Sequence, residues 1–191
     1  MPWSSTHKTK TRQRILEAAA SAFRAEGVGA IAVGDVMGRA GLTHGGFYAH
    51  FDSKEQLVAE ALSYASGQTT RTFDHTAAAA GDRALEAVVD SYLDPAHLAH
   101  PERGCVVASL GPEAARGRRG VKRSLAQIIR ARLDRLRRLM PASLPKRARN
   151  EKAAGAFACM VGGLILARGL GEEEGERLLE DCRAFLHQAL E

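Results

Sequence analysis

Residues 31–57, IAVGDVMGRAGLTHGGFYAHFDSKEQL, constrain the fold more than any other stretch of this chain. Val33, Val36, Met37 and Ala40 recur at helical spacing, so the first segment has one apolar face. Gly41 suits the left-handed residue that closes a helix. Leu42 begins a turn, and Thr43 can cap a second short helix over residues 44–51. Within it Phe47 and Phe51 lie four apart and share an inward face, leaving His44, Tyr48, Ala49 and His50 to point elsewhere. Asp52 to Gln56 then resembles a capping box ahead of the apolar run Leu57, Val58, Ala61 and Leu62. Two short helices joined by a Gly-containing turn are a helix-turn-helix unit.

Within that stretch, GRAGLTHGGFYAHFDSKEQL resembles the signature of the tetracycline-repressor (TetR) family of bacterial transcription regulators. The resemblance covers roughly residues 9–62. It implies that residues 43–50 are a recognition helix lying in the major groove of double-stranded DNA. By position, Thr43 and Tyr48 would then bind phosphate and Lys54 the DNA backbone. His44 and its neighbours Gly45 and Gly46 would approach base edges, with His50 at the far end of the same segment. The basic start of the first helix, with Lys8, Lys10, Arg12 and Arg14, would sit against a phosphate backbone. Two positions depart from the family pattern. Ala32 replaces a hydroxyl residue often found ahead of the first of the two helices, and Gly45-Gly46 puts two helix-weakening residues into a short helix. Close approach to DNA and tight helix packing are the two physical uses of such glycines.

The rest of the composition fits an all-α protein. Aromatics are 5% of the residues and runs of β-branched residues are scarce, while 45% hydrophobic and 26% charged residues suit a globular chain. The net charge of +5 is compatible with nucleic-acid binding without requiring it. Three cysteines without paired spacing suit a reducing compartment. The first residues lack the apolar core of a signal peptide, and the most apolar stretch, 153–166, falls short of the ~20 residues that a membrane span needs. The expectation is a cytoplasmic protein with no membrane association.

Along the chain, residues 1–7 read as a tail and 8–26 as the first helix, broken at Gly27 and Gly29. GVGAIA, residues 27–32, fits a dinucleotide-binding pattern, but it follows a helix rather than a strand and is rejected. A helix over 53–68 should give way to a bend at Gly67 and a polar run to His75. Asp82 can cap a helix carrying Leu85, Val88, Val89, Tyr92 and Leu93. A loop bounded by Pro95 and Pro101 leads to a helix over 105–116 that Gly111-Pro112 should kink or split. Residues 121–140 form an amphipathic helix with an apolar stripe of Leu125, Ile128, Ile129, Leu133, Leu136, Leu139 and Met140. Lys122, Arg123, Arg130, Arg135, Arg137 and Arg138 lie opposite as a solvated face. Two more helices, 146–169 and 172–190, complete the chain. Ala154, Ala158 and Gly162 recur in the first of them at spacing that lets helices approach closely, and a helix so apolar must be covered. The family resemblance implies that these two helices form a four-helix bundle with their twins in a homodimer, through Ala154, Ala158, Gly162, Leu166, Leu179 and Phe185.

No catalytic motif is present, and an enzyme is not expected. His97, His100 and Cys105 are too few and too loosely spaced for a metal site, and no cofactor is implied. Cys105 follows Arg103-Gly104 and should open a helix, surroundings that lower a thiol's pKa. The reading is an all-α regulator with a three-helix head over 1–53 and a helical ligand-binding and dimerisation domain over 54–191. It would repress from a palindromic operator until a small-molecule effector binds in a pocket lined by Tyr92, Cys105, Leu110 and Leu133. Two alternatives remain open: a repressor that senses electrophiles or oxidants through Cys105, and a small helical enzyme or scaffold without specific DNA binding.

Overall fold

The computed structural model describes residues 5–190, and among them every regular element is helical. The order is α1 (Ser5–Glu26), α2 (Val33–Arg39), a 3-10 helix (His44–Ala49), α3 (Lys54–Ala80) and α4 (Ala84–Tyr92). Then come α5 (Pro95–Ala99), α6 (Val106–Arg116), α7 (Arg119–Leu139), α8 (Lys146–Leu170) and α9 (Glu172–Leu190). Of the expected tail, residues 1–4 lie outside the described residues, while Ser5 to His7 already belong to α1.

Three sequence expectations fail for physical reasons. The bend at Gly67 does not form: α3 continues for 27 residues and stops only at Gly81, whose φ of +57° suits glycine. One glycine costs about 1 kcal/mol in a helix. Burial of Phe73 and the four alanines that end α3 favour its continuation. Asp82 does not cap α4; it sits in a short 3-10 turn, and α4 starts with no side-chain cap. Pro112 does not split α6, which continues through it to Arg116.

The 153–166 stretch is part of a longer helix than its apolar core indicates. α8 has 25 residues and is long and apolar enough, by length and composition alone, to cross a membrane. In the fold, one of its faces is buried through Ala153, Ala156, Phe157, Met160, Leu164 and Ala167, packed with α7 and α9. Gly175 shows how near α8 and α9 approach, because a Cβ there would meet the Ala167 carbonyl oxygen at 2.5 Å.

Two hydrophobic clusters result. The first unites α1, α2, Phe47, Phe51 and the start of α3 with Val106, Leu110 and Ala114 of α6 and Val121, Leu125 and Ile128 of α7. The second lies between α4, the end of α7, α8 and α9. The first core therefore crosses residue 53: α3, α6 and α7 carry the N-terminal unit on their ends.

Candidate nucleic-acid interface and ligand cavity

The N-terminal unit is built on two phenylalanines. Phe47 and Phe51 are almost fully buried, as their spacing predicts, and their rings stack with centroids 5.7 Å apart. Gly41 adopts φ +67°, and the following N–H of Leu42 donates to Met37 O at 2.8 Å, which closes α2 as expected. The segment after the turn departs from expectation. Residues 44–49 wind as a 3-10 helix rather than an α-helix, and the Thr43 side chain caps nothing. Paired glycines and a length of six residues give an α-helix little to gain there.

This short turn pushes its side chains outward. Thr43, His44, Gly45 and Tyr48 are exposed, Tyr48 to 71%, whereas Gly46 and His50 are half-buried. Nothing lies within 4 Å of where a Gly45 Cβ would be, and Gly46 would gain only ordinary contacts. Tight packing within the chain therefore does not explain the glycine pair. His50 turns towards the start of α1, its Nδ1 buried without a hydrogen-bond partner among the described residues. Its pKa falls below the usual imidazole value, first through burial and then through the charges of Lys8, Arg12 and His7.

The basic residues near this face divide by use. Lys8 and Lys10 are exposed. Arg12 lies over the Phe51 ring, 4.5 Å from its centroid, and pairs with Glu60 at 2.5 Å; Arg14 donates to Ala40 O at 2.6 Å. Lys54 donates to the carbonyls of Val28 and Ile31 at 2.9 and 2.6 Å, so it clamps the loop between α1 and α2 and keeps one N–H to give elsewhere. Ser53 caps α3 by accepting from the Gln56 N–H, and Gln56 accepts in return from the Asp52 N–H. The missing hydroxyl at Ala32 is offset from the other side, because Asp35 accepts from the Ala32 N–H at 2.9 Å.

A cavity of about 350 Å³ opens between α3, α4, α7 and the segment around α5. Of the four residues expected to line it, Tyr92 and Cys105 do, and Leu110 and Leu133 do not. Leu110 is buried in the first cluster, facing the N-terminal unit, and Leu133 packs into the second. The loop after α4 positions the cavity wall. Asp94 caps α5 by accepting from the Ala96 N–H, and Pro95 opens that helix. His97 then ties the loop down: its Nδ1 donates to Tyr92 O at 2.7 Å and its Nε2 accepts from the Cys105 N–H at 2.8 Å. Both ring nitrogens are thus engaged, and neither is left to ligate a metal. Burial is the largest cause holding the His97 pKa down, at about 4, so the ring is neutral at pH 7.

Cys105 is buried beneath this loop rather than presented to solvent, which removes the accessible thiol that the sensing alternative required. The residue the sequence analysis missed is Arg132. It is only 6% exposed, it lines the cavity, and its Nη2 donates to Thr69 Oγ1 at 3.2 Å. A signal was there: Ile128, Arg132 and Leu136 are spaced four apart, which puts an arginine in the apolar stripe of α7.

Two polar bolts join the cavity side to the N-terminal unit. Arg24 of α1, 5% exposed, donates to Gly104 O at 3.0 Å and to Gln68 Oε1 at 2.8 Å. Glu113 of α6 accepts from the N–H groups of Val28 and Gly29 at 2.9 and 2.7 Å.

On the far side, α8 and α9 leave apolar groups outside. Ala154, Ala158 and Leu166 (62%) are exposed, as are Ile165 and Phe185 (60%), while Gly162 is half-buried. Leu179 is different: it is fully buried in its own chain's second cluster and cannot reach a twin.

Residues 15–61 match the family model described as "Bacterial regulatory proteins, tetR family". Over 88 residues, 46% of this chain, the sequence is 38% identical to the HTH-type transcriptional regulator SrpR of Pseudomonas putida. It is also 38% identical over 88 residues to the uncharacterized HTH-type transcriptional regulator TtgW of the same species. The alignment covers 40% of the first relative and 64% of the second, less than two thirds of either. A crystal structure of a TetR transcriptional regulator from Chloroflexus aurantiacus J-10-FL superposes with a TM-score of 0.80 at 25% identity, covering 96% of this chain and 95% of that one. Residues 15–61 thus match the TetR family's N-terminal model, and the whole chain has the fold of a solved TetR-family regulator. Its helix-turn-helix end and its helical body together have the family's fold, and the proteins it resembles are transcriptional regulators rather than enzymes.

Proposed function

We propose that this TetR-family chain is a ligand-responsive transcriptional repressor that works in the cytoplasm as a homodimer on a palindromic operator. Residues 1–53 act as its DNA-binding head and 54–191 as its ligand and dimer domain. The observation that carries the reading is the outward presentation of Thr43, His44 and Tyr48 on a short turn pinned by two buried phenylalanines. In this reading the recognition segment enters the major groove, Tyr48 and Thr43 take phosphate oxygens, and His44 meets a base edge. Lys10 adds a salt-sensitive phosphate contact. Gly45 and Gly46 let the backbone close on DNA, and His50 supports the segment from behind. The third N–H of Lys54 is free for a phosphate.

The exposed residues Ala154, Ala158, Leu166 and Phe185, with half-buried Gly162 among them, meet the same patch of a second copy, which suits an isologous interface. The ligand cavity and the head are coupled through Arg24. An effector that shifts the loop at Gly104 strains the hydrogen bond that holds α1, and it changes head spacing only by as much as it prefers the shifted state.

The test is selection of random duplexes by the purified protein at near-physiological salt. An enriched palindrome that Tyr48→Ala loses is the expected result. Weak, sequence-independent binding that vanishes as salt rises would overturn the reading. Lys54→Ala is a poor variant for this purpose, because it also frees the carbonyls of Val28 and Ile31.

A further inference from the structure

Among the described residues, Arg132 lines the cavity with no carboxylate paired to it. Its close partners are the Thr69 hydroxyl and the face of Phe73, 4.8 Å from the guanidinium carbon to the ring centroid. The carboxylates nearby are committed: Asp74 to Arg135, Glu102 to His100 and Arg103, and Asp94 to the Ala96 N–H. Two more guanidiniums stand around Cys105, and neither is ion-paired among the described residues. Arg168 donates to Ser109 Oγ and His97 O, and Arg24 donates only to carbonyl and amide oxygens. The hydroxyl of Tyr92, a residue that lines the cavity, is buried beside the Cys105 thiol and has no oxygen or nitrogen partner among the described residues. A buried cation without a counter-ion is costly, and so is an orphaned buried hydroxyl. Both costs fall when one anionic acceptor enters. The remaining wall includes Phe73, Val88 and the Tyr92 ring, which suits an apolar body and excludes a bare inorganic ion as the full occupant.

We infer that the cavity takes an organic monoanion: an apolar body carrying one carboxylate that accepts from the Arg132 guanidinium and the Tyr92 hydroxyl. This ligand class rests on the ligand-responsive reading above. Arg132 supplies a charge-assisted, fork-shaped donor, Tyr92 a second donor, and the cavity contributes no acidic side chain that would repel the ligand.

The experiment titrates the full-length protein with benzoate, 2-naphthoate and octanoate, each against its own primary amide and its own primary amine. Binding is followed by calorimetry and by thermal shift. At least one acid should bind about tenfold or more tightly than its amide, with the amine weakest. Arg132→Met should bring that acid down to the affinity of its amide, whereas Lys122→Ala, an exposed charge on α7 outside the cavity, should leave acid binding unchanged. Arg132→Gln serves as the second variant if the methionine form fails to fold. The inference is overturned if no acid exceeds its amide, if an amine binds best, or if the acid preference survives loss of Arg132. The two readings fail separately. Acid binding that leaves operator affinity unchanged would sink induction and keep the ligand class. Release from the operator by a neutral or cationic compound would keep induction and sink the ligand class.

Discussion

The recognition turn and the cavity loop are built on opposite plans. Thr43, His44 and Tyr48 point outward from a segment that rests on Phe47 and Phe51, so the exposed groups and the groups that stabilise it are different side chains. In the segment 97–105, His97, Gly104 and Cys105 are at once wall, brace and link to α1. Contacts with an outside partner can be changed on the first without unfolding it. On the second, any change in the cavity wall is also a change in packing.

The largest expected effect tests the foundation of the turn. Phe47→Ala should cost about 3–5 kcal/mol of stability, read as a lower midpoint in denaturant, and should abolish operator binding with it. If stability holds, the turn is not pinned by its phenylalanines. The pH response of the cavity loop comes next. Because the folded His97 pKa of about 4 lies below the unfolded value near 6.5, the unfolded chain binds the extra proton first. Stability is complete above pH 6.5 and falls as pH drops towards 4, by at most about 3 kcal/mol from this group. His97→Gln should flatten that part of the melting-temperature profile; an unchanged slope would assign it to other groups.

Gly104→Ala is the next smaller change. A Cβ there would lie 2.6 Å from His97 Nε2 and 3.2 Å from Arg168 Nη2, in a loop already fastened at both ends. Overpacking of this kind costs about 1–3 kcal/mol. It should also move ligand affinity and operator affinity together, because the same loop carries the Arg24 bond. The smallest stability effect is the most discriminating. Gly45→Ala meets open space at an ordinary φ, so it should leave stability unchanged or raise it by about 0.4–1 kcal/mol. If the glycine is there for DNA, operator binding should nevertheless weaken about tenfold in a salt titration. Unchanged affinity would remove the close-approach account of the glycine pair.

Much of the helical frame was readable from periodicity. The inward faces of α2 and α7, the closing glycine at 41 and the two core phenylalanines all follow from spacing alone, because each is a local consequence of 3.6 residues per turn. Where local signals were weak, tertiary packing overrode them. Gly67 reads as a break until Phe73 and the following alanines are seen to carry α3 past it. Lys54 reads as a surface charge until its two carbonyl partners, more than twenty residues upstream, come into reach. Leu179 has the pattern of an interface residue, yet the turn of α9 puts it inside its own chain.

What the sequence alone determined about this protein is therefore its helices, its helix-turn-helix and the resemblance of that motif to the TetR signature, since these depend on residues close together in the chain. The tertiary structure decided which polar groups are left without partners. Arg132 becomes a buried cation without a paired carboxylate, among the described residues, only when α3, α4 and α7 close around it and the nearby carboxylates turn to other bases. Charge compensation is a property of three-dimensional neighbours, and sequence spacing carries no record of it.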